Sequence, residues 1–264
     1  MRRSFLTLLT AALLMATAAP AAGTPPQGTP GAAAQVFCLD GKWEEHGFAS
    51  LGECMRAVAT GTDPVMVWSL VDDFRLAPDQ ANPSPDRYGN EAVWSYMMSA
   101  YSHWAFAYQF LPEFVVDVGD LGYWDGLWHN PYVPAGFPFG FPFIAKGTER
   151  SRELQFHTGE PGWYYPFAVA GWTSPIEGTV LIDLGLNHRQ ACEWEVDGVD
   201  WWVGSGWVLQ VADAGWIPNP GKAGSTLTMR VEPGDRLWLV IGPHANYACD
   251  STYVDWTITG VVPE

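Results

Sequence analysis

The final third of the chain is written in a two-residue rhythm. Val180, Ile182 and Leu184 alternate with Leu181 and Asp183; Val199, Trp201 and Val203 alternate with Asp200 and Trp202. Leu227, Met229 and Val231 alternate with Thr228 and Arg230, and Val254, Trp256 and Ile258 with Asp255 and Thr257. Leu237, Leu239 and Ile241 follow the turn Pro233-Gly234-Asp235. Side chains of a strand point to opposite faces in turn, so each run offers one apolar face to a core. Strands at this density, separated by Gly, Pro, Asn and Asp, predict an antiparallel sandwich or barrel. Long helices are excluded, because 28 Gly and 21 Pro punctuate the 264 residues and both residues break helices. Disorder is excluded by 14% aromatic residues against 16% charged ones, the reverse of a disordered composition.

Two stretches lack the rhythm. Residues 91–111 (EAVWSYMMSAYSHWAFAYQFL) fit either a helix or strands, and their aromatic content favours strands. Residues 112–166, rich in Gly, Pro and aromatics and including FPFGFPF at 137–143, are expected to form long ordered loops.

The start of the chain reads as an export signal over residues 1–22. Arg2 and Arg3 precede the apolar run Phe5–Ala16, and Ala19-Pro20-Ala21 supplies small residues for cleavage. That run is too short to cross a bilayer, which needs about 20 residues, and no later segment is apolar enough. The protein is therefore expected to be secreted, without a membrane span. Residues 23–35 read as a flexible linker, 36–61 as a compact unit, and 62–264 as the sandwich. Within the unit, Asp40-Gly41 marks a turn. Ser50 and Glu53 have capping-box spacing for a helix running to Thr60 and stopping at Gly61. Export makes Cys38, Cys54, Cys192 and Cys249 disulfide partners. Four cysteines allow three pairings, of which Cys38–Cys54 with Cys192–Cys249 needs the least chain rearrangement. No C-x-x-C or H-x-x-x-H spacing suggests zinc.

Cys38, Gly41, Trp43, Phe48, Gly52, Cys54, Val58 and Gly61 together resemble a short two-cysteine motif of secreted bacterial proteins, which implies a structural appendage. A second string runs through WSLVDDF (68–74), NPSPDRYGNEAVWSY (82–96), AGWTSPIEGTVLI (170–182), DGVDWWV (197–203), VEPGDRLWLVI (231–241) and DSTYVDWTI (250–258). It resembles the jelly-roll β-sandwich of galactose-binding and carbohydrate-binding modules. Where related modules often show His-Pro-Gly, this chain has Glu160-Pro161-Gly162. The resemblance implies an all-β antiparallel jelly roll, carbohydrate or cell-surface glycan as partner, and a structural calcium ion. Asp72, Asp73, Asp250 and Asp255 are the candidate ligands, oxygen donors placed where the first strand and the closing segment would meet.

Charge and motif narrow the function further. Thirteen Lys and Arg against 29 Asp and Glu give a net charge of -16, which disfavours nucleic acid and anionic membrane surfaces. No G-x-S-x-G elbow occurs; residues 171–175 and 204–206 lack its spacing. Carboxylates such as Asp72–Asp73 and Asp197/Asp200 are too plentiful to mark a glycosidase pair, and no catalytic residue is assigned. A non-catalytic carbohydrate-binding or cell-surface recognition protein is the leading expectation. The alternatives are a polysaccharide hydrolase or lyase with its site in 112–166, and an extracellular structural domain. Strand alternation sends Trp201 inward and places Trp202 outside beside Asp200, with Trp238 likewise opposite Leu237 and Leu239. Trp202, Asp200 and Trp238 are the candidate sugar-binding residues, an indole platform beside a hydrogen-bond acceptor.

Overall fold

Two antiparallel sheets face each other across a core of aliphatic side chains and indoles. The structure, a computed structural model, describes residues 50–52, 54, 65–77, 79–116, 124–132, 140–147, 153–161, 165–189, 197–247 and 249–261. Residues 1–35, where an export signal and linker are expected, and most of the 36–61 unit lie outside them. Of that unit, Leu51, Gly52 and Cys54 are helical, and the Cys54 N–H donates to the Ser50 carbonyl at 3.1 Å, as a helix opening after Ser50 requires.

The larger sheet contains β1 (Val65–Ser69), β4 (Glu113–Val116), β5 (Trp124–Asn130), β6 (Gly140–Gly147), β7 (Leu154–His157), β9 (Gly178–His188), β12 (Gly221–Val231) and β14 (Thr252–Val261). Its order is β12-β9-β14-β7-β6-β5-β4, with β1 paired to the second half of β14. The smaller sheet contains β2 (Trp94–Ser99), β3 (Gln109–Phe110), β8 (Phe167–Thr173), β10 (Val199–Ser205), β11 (Gln210–Ile217) and β13 (Arg236–Pro243), in the order β11-β10-β13-β8-β2-β3. From β8 onward the chain passes from sheet to sheet, and β10–β11 is the local hairpin. This is an antiparallel jelly-roll sandwich, and all five alternating runs are strands in it.

The inward faces are those the alternation predicts: Val180, Ile182, Leu184, Val199, Trp201, Val203, Leu237, Leu239, Ile241, Val254, Trp256 and Ile258 share one buried cluster. Indoles link the sheets, with Trp68 5.2 Å from Trp172 and Trp94 5.6 Å from Trp256 between ring centroids. A buried indole N–H favours an acceptor, and acids supply one for two of these indoles. Trp68 Nε1 donates to Asp86 Oδ2 at 2.7 Å and Trp94 Nε1 to Asp73 Oδ2 at 2.9 Å. Asp73 reaches that position because Ser69 caps a single helical turn, Leu70–Asp73, by accepting from the Asp72 N–H at 3.2 Å.

Residues 91–111 form β2, β3 and a 3-10 turn at Ala105–Ala107, in line with the strand expectation. The described residues of 112–166 do not read as a loop system: they build β4, β5, β6 and β7. Strands covered on both faces lose the alternation that betrays a strand, and every residue of β6 except Lys146 is buried. Ile144 faces the main core, whereas Phe141 and Phe143 join a second cluster with Leu127 and Ala145 on the other side. Pro142 falls where the β5–β6 register shifts, between the His129–Phe143 and Asn130–Gly140 pairs, the kind of irregularity a strand proline requires.

No described cysteine is a free thiol. The expected pairing involves Cys38 and Cys192, which lie outside the described residues. Among the described residues no helix is long and apolar enough to cross a membrane.

Candidate functional site

The outer face of the smaller sheet is paved with rings. Trp202 on β10, Trp238 and Val240 on β13, Phe167 and Val169 on β8 and Met97 on β2 pack together there. Two glycines make room for them. A Cβ at Gly171 would lie 2.8 Å from Trp238 Cε3 and closer still to Cζ3, and one at Gly242 would collide with Phe167 and lie 3.3 Å from Trp202 Cζ3.

Residues 101–108 cross over this paving as a cover. Ala105 and Tyr108 are buried in it, with Tyr108 edge-on to Trp238 at 5.2 Å. The cover is tied to the β10–β11 turn: Leu209 N–H donates to the His103 carbonyl at 2.7 Å, and Phe106 N–H to the Trp207 carbonyl at 3.1 Å. Trp238 Nε1 donates to the Gly206 carbonyl at 3.1 Å from beneath. The outside of the cover is aromatic in turn. Tyr101 is 51% exposed, Trp104 46%, Phe106 56% and Trp207 74%. Tyr101 and Trp104 are 4.7 Å apart, and Trp104 stacks on Phe106 at 5.8 Å with 17° between planes.

Beside this surface a cavity of about 340 Å³ opens between the β10–β11 and β12–β13 turns. Ala105, Trp207, Trp238, Arg230, Asp235 and Arg236 are among its walls. Polar surface outweighs apolar surface in its lining, so it offers hydrogen-bonding groups more than an apolar slot. Arg236 lies 5.9 Å over the Trp238 ring, and Asp235 Oδ2 accepts from the Glu232 N–H at 2.8 Å, closing the Pro233-Gly234 turn.

The three predicted sugar-binding residues are on this outer face, but in different states. Trp202 is half-buried, edge-on to Phe167 at 6.0 Å and to His103 at 5.9 Å. Asp200 is on the same face, with His244 Nδ1 3.1 Å from its Oδ2 and the half-exposed Trp216 opposite it on β11. Trp238 is only 3% exposed. The expected platform there is corrected: Tyr108 and Ala105 pack on the ring and leave it too buried to serve as a stacking face. Trp201 points inward as expected. Sequence reasoning missed Tyr101, Trp104, Phe106 and Trp207. Trp207, directly after Gly206 at a strand end, was the readable signal; the cover residues looked like more strand.

The four aspartates proposed for calcium do not converge. The first and closing strands do pair, Ser69 with Thr257. Asp72, however, lies 3.3 Å from the Arg87 guanidinium, and Asp73 accepts from Arg87 Nε at 2.8 Å as well as from Trp94. Asp255 sits mid-strand opposite Gly185, while Asp250 precedes the strand, on the order of 15 Å away at the strand rise. Among the described residues no group of three or more His, Cys, Asp or Glu could hold a metal. Asp250 is buried, takes the Thr158 hydroxyl on Oδ2, and has no partner on Oδ1. Burial, with Asp197 and Asp200 nearby, pushes its carboxyl up to about 8.

No protein-family model matches the sequence, and no curated protein matches it. Solved structures similar to it include an arabinose-bound α-L-arabinofuranosidase, 16% identical over 41% of this chain and 19% of that one, with a TM-score of 0.27. A carbohydrate-binding module of Cellvibrio mixtus lichenase 5A in complex with cellotriose is 10% identical over 44% of this chain and 83% of the module, TM-score 0.26. A family 35 carbohydrate-binding module from Clostridium thermocellum is 7% identical over 48% and 83%, TM-score 0.26. The protein thus spans about a fifth of the arabinofuranosidase's length. Likenesses this distant assign neither ligand nor site.

Proposed function

We propose that the protein is a secreted, non-catalytic carbohydrate-binding or cell-surface recognition protein, and that its contact surface is the aromatic cover of the smaller sheet. The observation that carries this reading is the contiguous set Tyr101, Trp104, Phe106 and Trp207, each about half exposed or more, beside a cavity lined with Arg230, Asp235 and Arg236. Large apolar groups gathered at a surface mark contact sites rather than solvated skin. A sugar ring has an apolar C–H face that stacks on an aromatic ring, and hydroxyls that need donors and acceptors. The cover supplies the rings and the cavity wall supplies the polar groups. Asp200 with Trp202 and Trp216, at the other end of the same sheet face, forms a secondary contact of the same chemistry. Residues 36–61 serve as an appendage, held by Cys38–Cys54.

The test is retention of the mature protein on a panel of soluble and insoluble polysaccharides, compared with Trp104→Ala and Trp207→Ala. Both variants should unfold at the wild-type temperature, because both rings are exposed, and should lose at least tenfold in affinity. Retention by no polysaccharide, or unchanged binding by both variants, would remove this reading.

A further inference from the structure

We infer that the cavity beside Trp207 selects glycans that carry carboxylate groups, with Arg236 as the anion-recognising side chain; this rests on the carbohydrate reading above. Cations are scarce in this protein, 13 against 29 acids, and most of those described are already committed. Arg87, Arg189 and Arg230 face carboxylates. Arg75 and Lys146 donate to backbone carbonyls. Arg236 does neither: its guanidinium lies over the Trp238 ring, on the cavity wall.

The neighbouring charges favour an anion at this point. Arg230 shares the wall, and its contact with Glu177 is long, 3.6 Å, between side chains that are 77% and 63% exposed. Such surface pairs are weak and exchange readily. Asp235 is also present, but its carboxylate is turned to its own loop by the Glu232 N–H. The wall therefore carries Arg236 and Arg230, the latter loosely paired with Glu177, against Asp235, which is engaged through one of its oxygens. A guanidinium presents a planar fork of donors that matches a carboxylate in two parallel hydrogen bonds. A uronate ring combines an apolar face with a carboxylate on its edge. Trp207, 74% exposed, provides for the first, and Arg236 for the second. Elsewhere the acidic surface repels a polyanion, so an acidic glycan should engage here and not along the rest of the molecule.

The experiment measures binding of the mature wild type, Arg236→Gln, Arg236→Lys and Trp207→Ala to polygalacturonate and to the same polymer with its carboxyl groups reduced to alcohols. Wild type should bind the polyuronate at least tenfold tighter than the reduced polymer, and the difference should shrink as salt rises. Arg236→Gln should lose that preference, binding the two polymers within about twofold of each other, and Arg236→Lys should recover only part of it. Trp207→Ala should weaken both polymers. Equal wild-type affinity for the two polymers, or an unchanged preference in Arg236→Gln, overturns carboxylate selection and leaves carbohydrate binding standing. Retention of neither polymer, nor of any neutral glycan, overturns the carbohydrate reading itself.

Discussion

The Trp238 indole packs against Gly171 of the adjacent strand, so close that a methyl group at position 171 would stand 2.8 Å from Cε3. The glycine is there for the ring, and the ring is there for the cover, since Trp238 both packs Tyr108 and donates to Gly206. Gly171→Ala should therefore displace the indole and loosen residues 101–108 together with the Trp207 turn. Overpacking of this kind costs about 1–3 kcal/mol. Urea unfolding should show that loss, and proteolysis should cut the cover faster than in wild type. Wild-type stability in the variant would mean the ring has room the geometry denies it.

Trp201 and Trp202 are neighbours with opposite duties. Trp201 is in the core between the sheets, 4% exposed, and its truncation to Ala should cost about 3–5 kcal/mol. Trp202 is half-buried on the outer face against Phe167 and His103. Its truncation should cost less, about 1–2 kcal/mol, from lost edge-on ring contacts and partial burial. Equilibrium unfolding of both variants checks the order, and equal losses would contradict the faces assigned to the two rings.

These two tryptophans also show what sequence can carry. Alternation in 199–203 is enough to separate inside from outside, because one face is apolar and the residues alternate strictly. It says nothing about what lies over the outer face. Trp238 is placed on the correct side by the same rule, yet its burial depends on Ala105 and Tyr108, some 130 residues earlier in the chain. The strands of 112–166 are invisible for a related reason: β6 is covered on both sides, so its apolar residues do not alternate. β11 fails in the opposite way, exposed on both faces except near Ile217. The aspartate quartet shows a further limit, since Asp73 is spent on Arg87 and Trp94, partners that no spacing rule pairs.

The cysteines should form the bridges Cys38–Cys54 and Cys192–Cys249. Closing the longer loop should contribute about 4 kcal/mol on a chain-entropy view. Non-reducing peptide mapping should recover each pair as one linked species. A peptide joining Cys38 or Cys54 to Cys192 or Cys249 would overturn the pairing and would tie residues 36–61 to the sandwich covalently.

Two buried groups set the pH dependence of stability, with opposite signs. Burial raises Asp250 to about 8 from an ordinary 3.8, Asp197 and Asp200 adding to the effect and the Thr158 hydroxyl opposing it. Burial lowers His157 from 6.5 to about 4. Between pH of about 4 and 6.5, folding takes up a proton at Asp250 and releases one at His157, so the two largely cancel. Above about 6.5 the histidine is neutral in both states. The folded protein then still holds the Asp250 proton that the unfolded chain has lost, and stability falls as pH rises to about 8. Asp255, raised by burial and by Asp183 and Asp72, adds a further fall at the acid end. Asp250→Asn keeps an acceptor for Thr158 but removes the titration. Its stability should be level from about pH 6.5 to 8, and should rise from about pH 4 to 6.5 relative to wild type as His157 acts unopposed. Urea unfolding across this range, wild type beside variant, reads both slopes. A wild type whose stability does not decline above about pH 6.5, or an Asp250→Asn variant that declines equally, would show that Asp250 is ionised in the folded protein.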